Sequence, residues 1–290
     1  MKKFKFILFI AVTTIFGSCS SDSDSSSSTD EYFNYKIAGE TITITDWIVN
    51  RSEDSFEVVG TNSNEETIYF EFNAQGNIGS VTTYSPNDLI EQDRSAQNYY
   101  TNQSFDFNLV SINESSKMIK VTYSGKVYED EYDTSSDFVL VQGDFQVKYT
   151  DLVPQVAGLG VYAKIAGTDF YSSSGDQTGG FFPSSNITLN SYDGGIYSIG
   201  VTTNHDNTTT GSYNFTPASS TNKVTLSKYN TTLNYFESLD CTGSVNITSK
   251  QVGSQLTVIS GTYSFTAINP DTGEETQVTN GTFKDVYSNY

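Results

Sequence analysis

Apolar residues recur at every second position through most of this chain. Ile68, Phe70 and Phe72 alternate with Tyr69 and Glu71, so one face can be buried while the other meets water, the pattern of a half-buried strand. Phe105, Phe107 and Leu109 repeat the pattern, as do Ile119, Val121 and Tyr123. Polar clusters interrupt these runs at 73–77, 113–117, 193–195 and 269–273, the last reading Asn, Pro, Asp, Thr, Gly, with glycine available for a positive φ. The pattern predicts an all-β chain of antiparallel sandwich or barrel-like domains. One stretch departs from it. Ser85, Pro86, Asn87 and Asp88 supply an N-cap, a proline at the first helical position and an acid in the first turn, which predicts a short helix over Leu89 to Ala96.

Short motifs recur at a fixed spacing. Lys36, Ile37, Ala38, Gly39 returns as Lys164, Ile165, Ala166, Gly167, and Ile68, Tyr69 returns as Ile196, Tyr197, both 128 residues on. Ser124, Gly125 pairs with Ser260, Gly261, and Gly143, Phe145, Tyr149 with Gly281, Phe283, Tyr287, at slightly larger spacings that loop insertions explain. Two tandem β-domains are expected, at 31–152 and 159–290, joined by a connector at 153–158 that contains Pro154.

The first 30 residues obey different rules. Lys2, Lys3 and Lys5 precede an apolar run from Phe6 to Phe16, and Gly17 and Ser18 follow; this is the charged, apolar and small-residue order of an export signal over 1–18. The run is short for a membrane span, which needs roughly 20 apolar residues. Small residues directly before Cys19 resemble the lipobox of bacterial lipoproteins, with Phe16 where leucine is usual, as in the looser form of Bacteroidota lipoproteins. The resemblance implies cleavage before Cys19 and a diacylglycerol with palmitate-type chains on its sulfur. Residues 19–30 then form a tether, and its Ser/Asp run has no apolar residue and should stay disordered. Coil statistics give that run a reach of roughly 15–20 Å. Asp22 and Asp24 resemble the export tag that places some Bacteroidota lipoproteins on the outer face of the outer membrane; the periplasmic face is the alternative. Lipobox, tether and tandem β-domains together resemble Bacteroidota outer-membrane lipoproteins whose domains are uncharacterised.

Charge and composition narrow the function. Loss of 1–18 removes three lysines and no acids, leaving 12 basic against 34 acidic residues. Such a field repels phosphate backbones and anionic headgroups, so nucleic acid is not an expected partner and the membrane is reached through the lipid alone. Once Cys19 is acylated, Cys241 has no disulfide partner and reads as a small buried hydrophobe. The one histidine, His205, sits among Asn, Asp and Thr, and no nucleophile elbow or phosphate-cradling loop occurs. No cofactor is expected.

Two clusters carry candidate chemistry. Glu129, Asp130, Glu131 and Asp133 are carboxylates bunched near a strand end and are calcium candidates, but they lack calcium-loop spacing, and a solvated hairpin tip accounts for them equally. The 20 tyrosines and 19 phenylalanines are the larger surplus. Trp47, Tyr99, Tyr100, Tyr192 and Tyr235 lie in polar surroundings where rings can stack on sugars, while sheet packing is the structural alternative. The expectation is a non-catalytic, lipid-anchored binding module with a glycan as ligand. A structural or adhesion component with a surface protein partner is the alternative, and a hydrolase with paired acids ranks third.

Overall fold

The computed structural model describes residues 30–86, 93–172, 178–179, 186–204 and 206–288. The signal segment, Cys19, the Ser/Asp run and His205 lie outside the described residues, and Glu31–Tyr290 forms one compact unit. The fold is all-β, with no α-helix among the described residues.

Ten strands build the first half: β1 (Tyr32–Ile37), β2 (Glu40–Ser52), β3 (Ser55–Asn62), β4 (Thr67–Asn73), β5 (Ile78–Tyr84), β6 (Arg94–Ser95), β7 (Phe105–Asn113), β8 (Met118–Tyr128), β9 (Phe138–Lys148) and β10 (Thr150–Leu152). Eight of them close a barrel in the order β1-β9-β8-β6-β5-β4-β3-β2, because β1 pairs with both β9 and β2. β7 pairs with β8, and β10 runs parallel to β2. Closure removes the exposed edges that an open sheet would leave. The inward positions are those of the alternating pattern: Phe56, Ile68, Phe70, Phe72, Ile119 and Phe145 are fully buried in one core.

The second half comprises β11 (Gly160–Ile165), β12 (Thr168–Tyr171), β13 (Thr178–Gly179), β14 (Asn186–Tyr192), β15 (Tyr197–Asn204), β16 (Gly211–Phe215), β17 (Lys223–Asn230), β18 (Tyr235–Ser238), β19 (Asp240–Val252), β20 (Leu256–Ile268) and β21 (Glu275–Ser288). They form two sheets, β12-β11-β21-β20-β19-β16 with β13 beside β21, and β14-β15-β17-β18. Both sheets contribute to a second core, in which Ala163, Ile199, Leu226 and Phe283 are buried.

The halves share local devices. Ala38 and Gly39 (φ 50° and 86°) close the β1–β2 hairpin, and Ala166 and Gly167 (φ 50° and 84°) close β11–β12. Two positive φ values in a two-residue loop match the right-handed twist of the flanking strands. Tyr123 stands opposite Gly143 and its hydroxyl donates to the Asn34 carbonyl at 3.1 Å; Tyr263 stands opposite Gly281 and donates to the Tyr162 carbonyl at 3.1 Å. A Cβ at Gly143 would sit 2.0 Å from the Asn34 oxygen, and one at Gly281 would sit 2.2 Å from the Tyr263 ring, so only glycine lets the tyrosine lie across the strand. This register aligns Ser124 with Ser264 rather than with the Ser260 of the sequence motif.

The helix expected over Leu89 to Ala96 is corrected at its end. Residues 87–92 lie outside the described residues, but Arg94 and Ser95 are strand, held by pairing with Thr83 and Thr82 of β5. Tertiary pairing overrides the helix signal there, because β6 bridges β5 to β8.

Asp285 on β21 is fully buried, and neither of its carboxylate oxygens has a hydrogen-bond partner among the described residues. Desolvation pushes its carboxyl up to about 7. The folded state therefore holds this proton after the unfolded chain has released it, so the contribution to stability is full below about pH 4 and falls as pH rises to about 7. Asp285→Asn removes that dependence: chemical denaturation should find the variant more stable than the parent at pH 8, by on the order of 4 kcal/mol, with the gap closing toward pH 4. A gap that does not change with pH would contradict this.

Candidate functional site

The two halves meet along an aromatic seam. Tyr99 lies 4.5 Å from Tyr192, 6.0 Å from Phe236 and 5.8 Å from Tyr132, and Tyr100 lies 5.4 Å from Tyr229, which itself packs on Phe236 at 5.2 Å. Offset and edge contacts at these separations are favourable beyond the area that they bury. Tyr99 adopts φ 68°, a rare conformation for a bulky residue, and the loop around it is held by Asn98, whose N–H and side chain reach the carbonyl and carboxylate of Glu131. Polar bonds stitch the same seam: the Gln97 amide donates to the Tyr229 hydroxyl at 2.6 Å, and the Asn102 N–H donates to the Gly194 carbonyl at 3.0 Å. Gly194 has φ 77°, and a Cβ there would stand 2.7 Å from the Ile78 carbonyl of the barrel, so this approach needs glycine. Burial beside it raises the Asp193 carboxyl to about 6, although that group accepts the Gly195 N–H.

Three of the five aromatic candidates therefore meet here, in contact with each other or with Tyr229 and Phe236. They are interface residues, packed between the halves. Trp47 sits elsewhere, half-buried in the barrel wall 6.5 Å from the Phe33 ring, with its indole N–H donating to Glu31 at 3.3 Å. Tyr235 is 51% exposed on β18.

The acidic candidates have structural partners. Asp130 accepts the Tyr132 N–H, and Asp133 accepts both the N–H and the hydroxyl of Ser135, which lowers its carboxyl below the usual range. The Glu129 N–H donates to the Asp137 carbonyl, and Glu131 accepts from Asn98. Their loop buttresses Tyr99, and among the described residues no group of three or more His, Cys, Asp or Glu is placed to hold a metal ion. Cys241 is buried, accepts the Leu226 N–H at 3.2 Å and has its thiol raised by desolvation.

The same association of halves leaves a groove of about 800 Å³. One wall is the outer face of the barrel, where Asn50, Glu57 and Glu71 share a rung across β2, β3 and β4, with Glu53 and Asp54 at the adjoining turn. The other wall carries Tyr162 and Tyr171, cross-strand partners on β11 and β12 with ring centroids 4.9 Å apart. Leu152 at the end of β10 and Pro154 and Gln155 of the connector line it as well. Three bonds fix the groove: Gly158 N–H to Glu53 at 2.6 Å, Lys284 Nζ to the Ala157 carbonyl at 2.5 Å, and the Asn73 amide to the Ser172 carbonyl at 2.9 Å. An Arg51 clamp secures the approach, binding Glu114 and Asp151 at 2.7 Å each with its guanidinium 4.6 Å from the Tyr149 ring centre.

None of these groove residues was a functional candidate in the sequence, yet hairpin arithmetic could have paired those that face each other across strands. Counting outward from the Ala166–Gly167 turn brings Tyr162 opposite Tyr171, and counting from the 62–67 turn brings Glu57 opposite Glu71.

Residues 169–287 match the model of a family described as a domain of unknown function, DUF6252. The match begins within β12 and ends within β21. No curated protein matches the chain, and no solved structure matches it.

The seam should couple the stabilities of the two halves. Tyr99→Ala is expected to lower stability by about 2 kcal/mol, short of the full cost of truncating a wholly buried aromatic, and to split one calorimetric transition into two. Tyr99→Gly should be milder than Tyr99→Ala, because glycine adopts φ 68° without strain. An unchanged single transition in both variants would contradict a coupling role.

Proposed function

We propose that the protein is a Bacteroidota-type lipoprotein, anchored to the outer membrane through acylated Cys19, whose two halves are a duplicated β-module and which binds a glycan without catalysis. The groove between the halves is the observation that carries the binding reading. Its volume, about 800 Å³, falls in the range of small-ligand sites. Its walls combine amide and carboxylate side chains, which hydrogen-bond hydroxyls, with two adjacent tyrosine rings suited to stacking on a pyranose face. This moves the ligand from Trp47 and the seam tyrosines to Tyr162, Tyr171, Asn50, Asn73 and Gln75. Glu57 and Glu71 project from the same wall, an arrangement that suits holding a ligand more than flanking a scissile bond.

The anchor reading rests on the charged, apolar and small-residue order before Cys19. Two acyl chains hold a protein at a bilayer where one is marginal, and outward placement at the cell surface follows the acidic residues after the cysteine.

Tyr171→Ala should reduce retention on a polysaccharide affinity gel at least tenfold while the melting temperature moves little. Retention that is unchanged on every gel that holds the parent would remove the groove as the glycan site. Cys19→Ser should shift the protein from the membrane to the soluble fraction, and mass spectrometry should find diacylglycerol on the parent. An unmodified mature terminus would refute the anchor.

A further inference from the structure

We infer that the glycan bound in the groove carries amino groups. This rests on the glycan reading above and adds a charge requirement to it. Four carboxylates, Glu53, Asp54, Glu57 and Glu71, line the groove, and no lysine or arginine does among the described residues. Glu57 and Glu71 stand directly opposite each other on neighbouring strands. Like charges in that relation work against folding, and a cationic ligand relieves the repulsion. Lys284, beside the connector, donates to the Ala157 carbonyl.

The placement of the acids argues for amines spread along a chain rather than for one ion. The acids extend from the β2–β3 turn along β3 and β4, and no three of them converge as metal ligands among the described residues. The facing wall supplies what a protonated amino sugar also uses. The Tyr162 and Tyr171 rings offer negative π faces, and the Tyr162 hydroxyl is fixed by donating to Asp169 at 3.1 Å. The chain carries a formal charge of −19, and a concave site of that sign concentrates cations and repels acidic polysaccharides.

The test is calorimetric titration of the full-length chain in detergent at about pH 5.5, where glucosamine amines are charged. The probes are chitosan oligomers, fully N-acetylated chitin oligomers of equal length, and spermine. Chitosan oligomers should bind at least tenfold more tightly than their acetylated counterparts, with affinity falling as salt rises. Glu57→Gln with Glu71→Gln should remove most of that preference and flatten the salt dependence. The double variant also relieves repulsion, so a melting temperature at or above that of the parent shows that it is folded. Equal or tighter binding of the acetylated oligomers would overturn the amine requirement and leave the glycan reading standing. Binding of spermine without either oligosaccharide would overturn the glycan reading and this inference with it. A preference untouched by the double substitution would place the amine site elsewhere and refute the assignment, and no binding of any probe would refute both readings.

Discussion

The contact between Tyr99 and Tyr192 is the constraint on which the rest of this molecule depends. Each half has a core of its own, so nothing inside either core dictates how the halves are placed. Placement is decided by a small set of surface residues that would be ordinary on an isolated β-domain. Tyr99 reaches its partner only by accepting φ 68°, and Gly194 lets the β14–β15 turn meet the Ile78 carbonyl only because it has no Cβ. Side chains around the seam remove the remaining freedom, through the Gln97–Tyr229 bond and the support that Asn98 draws from Glu131.

The groove is a consequence of that placement. With the halves joined at the seam and again at Asn73–Ser172, the connector cannot drift from the barrel wall, and the Glu53–Gly158 bond fixes it there. Carboxylates that would be solvated on a lone barrel thereby become the wall of a concave site facing two tyrosines. Elements with structural reasons to be acidic or aromatic come to line one groove through association alone.

The fold was readable because alternation is a local signal: Ile68, Phe70 and Phe72 point inward wherever the strand lies, and the sheet pleat requires it. The Ala-Gly turns were equally legible, since a two-residue loop needs positive φ. Barrel closure was not, because it depends on β1 pairing with β9 across more than a hundred residues. The helix signal at Ser85–Asp88 misled at its far end, because the pairing of Arg94 and Ser95 answers to β5 and β8 and not to propensity. The site was the least legible part. Tyr99, Tyr100 and Tyr192 stood out as candidates for stacking on a sugar, but a tyrosine joining two halves and a tyrosine stacking on a sugar have the same composition around them. Glu57, Glu71, Tyr162 and Tyr171 are outward strand positions, and only the other half makes them the lining of a groove.

The most direct test of this account is a distance measured across the groove. Spin labels at Gln75→Cys and Leu256→Cys stand on opposite halves, and both positions line the cavity. Pulsed dipolar spectroscopy on the full-length chain should return a single narrow distance distribution without ligand, because the seam already fixes the halves. A broad or multimodal distribution would show that the halves move independently and that the groove is not a standing feature of the molecule.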